Sequence, residues 1–116
     1  MITYCFHTLC LIVHTNEVVV KMKILAMDRY LDGTTLEKVQ AYLEDEMKIA
    51  WKNYKKGYVR EWYSRQDKPG VVLMLECESL NEAQNLVDEL PLVNKGLIAF
   101  DLIPLGPFEP LGLLLK

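Results

Sequence analysis

Apolar residues recur at helical spacing in two stretches of the chain and at strand-like density in four others. The clearest unit runs from Ser79 to Pro104. Ser79 followed by Glu82 fits a capping box, in which the serine oxygen accepts from a backbone N–H three residues on and the glutamate reaches back. Leu80, Ala83, Leu86, Val87 and Leu90 then mark one face of a helix. Pro91 stops that helix, because it has no N–H and its ring clashes with the preceding turn. Gly96 supplies a turn. Leu97 to Ile103 is an apolar run with Asp101 its only charge, as expected of a strand buried on both faces.

The same logic occurs once earlier. Lys23 to Tyr30 reads as a strand, and Asp32-Gly33 as a turn. Thr34 with Glu37 makes a second capping box. A helix follows to about Lys56, with Leu36, Val39, Leu43, Met47, Ala50 and Tyr54 as its stripe and Gly57 as the left-handed residue that ends it. Tyr58 to Arg65 is aromatic and β-branched, which favours a strand, and its charges suit a sheet edge. Asp67-Lys68-Pro69-Gly70 is a turn, and Val71 to Glu78 a third strand.

The resulting order is β-α-β-β-α-β, an α+β fold of the ferredoxin-like kind. An antiparallel four-stranded sheet carries two helices on one face. Right-handed crossovers put the first and third strands in the centre. This domain spans residues 22–104. Residues 1–21 allow two readings: an extra strand reaching back through Val18 to Val20, or an addition upstream of a native start at Met22. Residues 105–116 form an apolar tail with two prolines, two glycines and no helical period, expected to lie on another surface.

The strands are apolar on both sides, where a sheet with one wet face would alternate. Val71, Leu73 and Leu75 oppose Val72 and Met74, and Leu25 and Met27 oppose Ile24 and Ala26. Leaving about six such side chains wet forgoes on the order of 10 kcal/mol. A second copy is the simplest cover, so a two-fold homodimer is expected. The rival cover is the chain's own tail or N-terminal extension.

Composition narrows the partners. The 116 residues make one domain, and 13 basic against 16 acidic residues give a net charge of −3. That argues against nucleic acid, and Val71 to Glu78 lacks the exposed aromatics and basic residue of an RNA-binding strand. No apolar run is long enough to span a bilayer, so no membrane partner is expected. Three cysteines without framework spacing point to reduced thiols and a cytoplasmic location.

The element order, the run Leu90-Pro91-Leu92 before the last strand, Asp45-Glu46 late in the first helix, Gly57 at its end, and Arg60 and Arg65 along the second strand resemble muconolactone isomerase-like proteins of the dimeric α+β barrel superfamily. The resemblance covers about residues 23–108. It implies a homodimer or higher oligomer with a small-molecule pocket in each half-barrel. Its activities include isomerases, oxygenases and haem enzymes, alongside stand-alone domains.

Candidate chemistry follows. Asp28 and Asp101 lie on neighbouring strands in apolar sets, where a carboxylate has a raised pKa and can shuttle a proton, as isomerising a lactone requires. Their plain alternative is a strand end exposed to water. Glu46 matches the family's acidic pair and is a second candidate base; its alternative is a solvated helix face. These three are the expected catalytic residues. Tyr30 shares the parity of Asp28 and adds a hydrogen bond. Arg60 shares a strand face with Trp62 and Ser64, and Arg65 shares the other with Glu61 and Tyr63; in either set the guanidinium binds a carboxylate and the ring forms a wall, and the plain alternative is solvated edge charges.

Cys5, His7, Cys10 and His14 match no common zinc spacing, and a strand puts Cys5 and Cys10 on opposite faces, so no metal is expected. With no histidine after residue 14, a haem ligand is missing from the domain and no cofactor is expected. Cys77 reads as a small core residue. The leading function is binding of a small acidic, aromatic or lactone molecule with proton transfer on it, and its rival is a non-catalytic ligand-sensing or assembly module.

Overall fold

A computed structural model describes the backbone of residues 2–6, 9–14 and 17–114, and the side chains of residues 21–113. The elements run β1 (Ile2–Phe6), β2 (Leu9–His14), β3 (Glu17–Tyr30), α1 (Leu36–Gln40), α2 (Leu43–Lys55), β4 (Val59–Ser64), β5 (Val71–Cys77), α3 (Leu80–Asp88), α4 (Pro91–Asn94), β6 (Ile98–Leu105) and α5 (Glu109–Leu114).

An antiparallel sheet β4-β5-β3-β6 forms the body, as expected of the α+β class and consistent with a ferredoxin-like arrangement. The first strand is longer than the Lys23–Tyr30 run. Its second half pairs with β5 and β6, while residues 17–21 pair with β2, which pairs with β1. This hairpin makes the molecule long, with extents of 51 × 37 × 21 Å. Its register sets Cys5 opposite Cys10, so the two positions share a sheet face rather than lying on opposite ones. The side chains of Cys5, His7, Cys10 and His14 lie outside the described residues.

One face of the sheet carries the core. Ile24, Ala26, Leu73, Leu75, Ile98 and Phe100 are buried there against Val39, Ala83, Val87 and Leu92 of the helical layer. Ser79 caps α3 as its spacing predicts, accepting from Glu82 N at 3.1 Å; Glu82 reaches the N–H of Glu78 instead of that of Ser79. The earlier cap is shifted by one residue. Thr35 accepts from Lys38 N, while the Thr34 hydroxyl donates to Leu97 O at 2.7 Å and ties the helix start to the β6 entrance.

Three helical features depart from the sequence reading. The long first helix is broken at Ala41–Tyr42 into α1 and α2. Pro91 does stop α3, yet it also starts α4, since its fixed φ and missing N–H suit a first helical turn. The tail is helical over Glu109–Leu114.

The inward face of α2 is offset from the apolar row. Glu46, Ala50 and Asn53 face inward, while Leu43, Met47, Trp51 and Tyr54 are exposed. The apolar row expected to enter the core therefore lies largely outside it.

The second sheet face holds a short apolar band. Register puts Met74, Leu25 and Ile103 in one row and Tyr63, Val72 and Met27 in the next. Charges border it: Glu61 and Asp101 end these rows, and Arg29, Lys23 and Glu76 flank them. The face is mixed, and less apolar than its partner.

Candidate functional site

The sequence of β3 places Asp28 after Ile24 and Ala26 on the core face, so a carboxylate enters an otherwise apolar row. It is 5 % exposed. Its Oδ1 accepts from the Val71 N–H at 3.0 Å, at the point where the Asp67–Gly70 turn delivers the chain into β5. Gly70 makes this seat. A Cβ there, at φ +149°, would collide with Asp28 Oδ1 and press on Arg65 Cδ.

Glu46 reaches the same region from α2. It is also 5 % exposed, and its Oε1 accepts from the Leu92 N–H at 3.0 Å. α4 has no side-chain cap of its own at Leu90, so a carboxylate from another helix satisfies one of its first N–H groups. Glu46 thus leaves the acidic run Glu44-Asp45-Glu46 for the interior, while its two neighbours stay exposed beside Lys48.

Asp28 and Glu46 line one cavity of about 100 Å³ together with Tyr30, Trp62, Val71 and Ile98. Its remaining walls are Val39, Leu43, Met47, Gly70 and Leu92. Burial raises the pKa of Asp28 above 3.8, and the Val71 N–H together with the Arg65 and Lys68 charges only partly oppose it. Burial likewise raises Glu46 above 4.5, opposed by the Leu92 N–H and reinforced by the negative charge of Asp28. Tyr30 is raised above 10.0 by the same two causes, burial and Asp28. Two carboxyls with raised pKa in one apolar pocket, the charge of Asp28 opposing ionisation of Glu46, are suited to hold and pass protons.

Asp101 and Arg60 lie elsewhere. Asp101 pairs with Met27 and not with Asp28, so it points from the opposite sheet face. There it is exposed and accepts from Arg29 Nε at 3.3 Å. β4 has a bulge between Val59 and Glu61, which lets Val59 and Trp62 both face the core and puts Arg60 out of step with Trp62. The exposed Arg60 guanidinium lies 3.8 Å from Glu76. Unbroken alternation would keep Arg60 on the face of Trp62, and the bulge removes it. The carboxylate pair drawn from Asp28 and Asp101 is replaced by Asp28 and Glu46.

The sequence matches no protein-family model and no curated protein.

Gly70 joins the site without having been singled out for it, and Arg65, the arginine of the other strand-two set, joins it through the turn. The Arg65 guanidinium grips Asp67 through two bonds of 2.9 and 2.7 Å, and its charge also reaches Asp28. That grip holds the Asp67 carboxyl down at about 2. The Asp67-to-Gly70 turn was visible in the sequence; its return onto Asp28 depended on the pairing of β5 with β3. Cys77 is buried, and burial pushes its thiol up to about 11, so it acts as an apolar filler. Among the described residues, no group of three or more His, Cys, Asp or Glu is disposed to hold a metal.

Beside the cavity, α2 and β4 flank an open groove of about 460 Å³ formed by Met47, Ala50, Trp51, Tyr54 and Trp62. Trp51 and Tyr54 stack with centroids 5.6 Å apart. Met47 and Trp62 belong to both the groove and the cavity.

Proposed function

We propose that the chain binds a small, mostly apolar molecule at the Asp28–Glu46 cavity and moves a proton on it, in the manner of a muconolactone isomerase-like protein. The observation that carries this reading is the convergence of two buried carboxyls, both with raised pKa, on one apolar pocket. Shifting a lactone double bond removes a proton from one carbon and returns one to another. That calls for a base and an acid of matched strength. A coupled pair supplies both, since ionising one carboxyl favours retention of the proton on the other. Tyr30 donates to an oxygen of the bound molecule, and Trp62 and Met47 form its wall.

A cavity of about 100 Å³ takes only a few heavy atoms. A larger molecule would have to displace Met47 or Trp62, the two walls that the cavity shares with the groove. Arg60 and Asp101 have no part in this scheme.

The working unit in this reading is a homodimer, formed through the band of Leu25, Met27, Val72, Met74, Ile103 and Tyr63. Burying that band is worth about 1.5–3 kcal/mol per large side chain, and the bordering Arg29, Asp101, Lys23, Glu61 and Glu76 set the register of the two sheets.

The test is proton exchange. Muconolactone incubated with the protein in heavy water should gain deuterium at the carbon next to the carbonyl, followed by NMR. Asp28→Asn and Glu46→Gln should each abolish most of that gain. Equal exchange in wild type and both variants would remove the assignment.

One observation favours the alternative, a ligand-sensing module. Each carboxylate already holds a backbone N–H, that of Val71 or of Leu92. In that case the lactone binds without exchange, and both amide variants, which keep an acceptor oxygen, bind it equally well.

A further inference from the structure

Besides the band on the open sheet face, two apolar surfaces among the described residues lack a partner within the chain. One is the groove between α2 and β4, where α2 exposes Met47, Trp51 and Tyr54 beside Trp62. The other is the C-terminal segment, where Phe108, Leu111 and Leu113 are 67 %, 54 % and 68 % exposed. Apolar groups this exposed at two places on one polypeptide are most economically buried against each other.

The segment is poorly placed to fill the groove of its own chain. It leaves β6 at Leu105, on one edge of the sheet, while the groove lies beyond β4 on the other edge. Three strand spacings separate the edges, about 14 Å. Trp62 also sits in the row of Ala26 and Leu102, three residues along the strands from Leu105, or about 10 Å. The direct path is about 17 Å, from those two spacings. From Leu105 to Phe108 the chain spans at most about 11 Å. The helical layer on the core face blocks the direct line, and α5 as a helix advances only about 1.5 Å per residue.

Charge agrees with a second copy as the source. Glu109 begins α5. Lys52 and Lys55 stand in the last turn of α2, with Lys55 Nζ 5.7 Å from the Trp51 ring centroid. A short apolar helix with an acid at its start therefore meets an apolar groove with basic residues at its rim.

We infer that the α2–β4 groove receives the C-terminal segment Phe108–Leu113 of a second copy of this chain. The segment lies over the Trp51–Tyr54 stack, and Glu109 faces Lys55. The contact is on the helical side of the molecule and uses none of the residues of the open sheet face.

The chain's two tryptophans, Trp51 and Trp62, both line this groove, so indole fluorescence excited clear of tyrosine reads its occupancy directly. On dilution of the full chain from high micromolar to nanomolar concentration, emission should shift to the red and quenching by acrylamide should increase. The full-length Phe108→Asp, Leu111→Asp, Leu113→Asp variant should emit at the red position throughout. Saturating amounts of a peptide of residues 106–116 should return it to the blue.

Lys55→Glu should weaken the dilution response, and pairing it with Glu109→Lys should restore the response. Identical emission and quenching for wild type and triple variant at every concentration would overturn the inference, as it would if the segment lay on the open sheet face. A difference that persists unchanged on dilution, with the wild type sedimenting as a monomer, would assign the contact to the chain's own segment and overturn it equally. Failure of the peptide to restore the blue emission would do the same.

Discussion

Asp28 and Glu46 each hold one backbone N–H and keep a second oxygen for other chemistry. Asn and Gln at these positions retain an acceptor and lose the proton. Asp28→Asn and Glu46→Gln should therefore leave the thermal transition in place at acid pH, where the native carboxyls also keep their protons, and lower proton exchange on a bound lactone by about 10²–10⁴-fold, the usual worth of a positioned acid or base. The same two groups set a pH dependence of stability. Their native pKa values lie above the ordinary 3.8 and 4.5. As pH rises from those values, the unfolded chain releases these protons before the folded one. Stability should fall until the native values are passed and then level off. Denaturant titrations across pH 4 to 8 should show that fall in wild type and a smaller one in either amide variant. Asp67 acts with the opposite sign, stabilising above 3.8 and losing that contribution as pH drops toward about 2. Gly70→Ala should destabilise by about 1–3 kcal/mol in denaturant unfolding, because the new Cβ displaces the Asp28 carboxyl from its seat.

Elements were legible where local chemistry settles them. The Ser79 cap, the Pro91 stop and the strands Val59–Ser64, Val71–Cys77 and Ile98–Leu105 stand close to their sequence positions. Ser79→Ala should cost about 0.5–2 kcal/mol, read as a lower unfolding midpoint, since α3 then loses the acceptor for Glu82 N. The first helix was less legible. Its apolar row gave a stripe, but Thr34 turns aside to Leu97 O and the helix breaks at Ala41–Tyr42. The face of α2 that packs inward carries Glu46, and much of the apolar row lies outward. A one-residue bulge in β4 had the same kind of consequence, moving Arg60 off the face of Trp62. Periodicity carries no information about where a helix will be interrupted or a strand will gain a residue.

At the scale of the molecule, the sheet leaves a band of apolar side chains on its second face, ringed by charge. If two copies meet there, Met74→Glu, in the row with Leu25 and Ile103, should shift sedimentation toward the monomer and leave far-ultraviolet dichroism unchanged. A wild-type monomer at high micromolar concentration would sink that dimer. No helix among the described residues is long and apolar enough to cross a membrane. The proposed tail contact is separable from the sheet contact, because its reporters Trp51 and Trp62 sit on the other side of the sheet.

Taken alone, the sequence determined the α+β class, the order of the main elements and the entry of Asp28 into an apolar strand, because each follows from residues within a few positions of one another. Only the tertiary structure decided that Glu46 and not Asp101 joins Asp28, and that α2 turns its aromatic row outward. Those outcomes depend on strand register, on a bulge and on which face of α2 packs inward. Each is fixed by contacts between segments far apart in the chain, such as Glu46 with Leu92 and Asp28 with Val71, and local pattern cannot encode them.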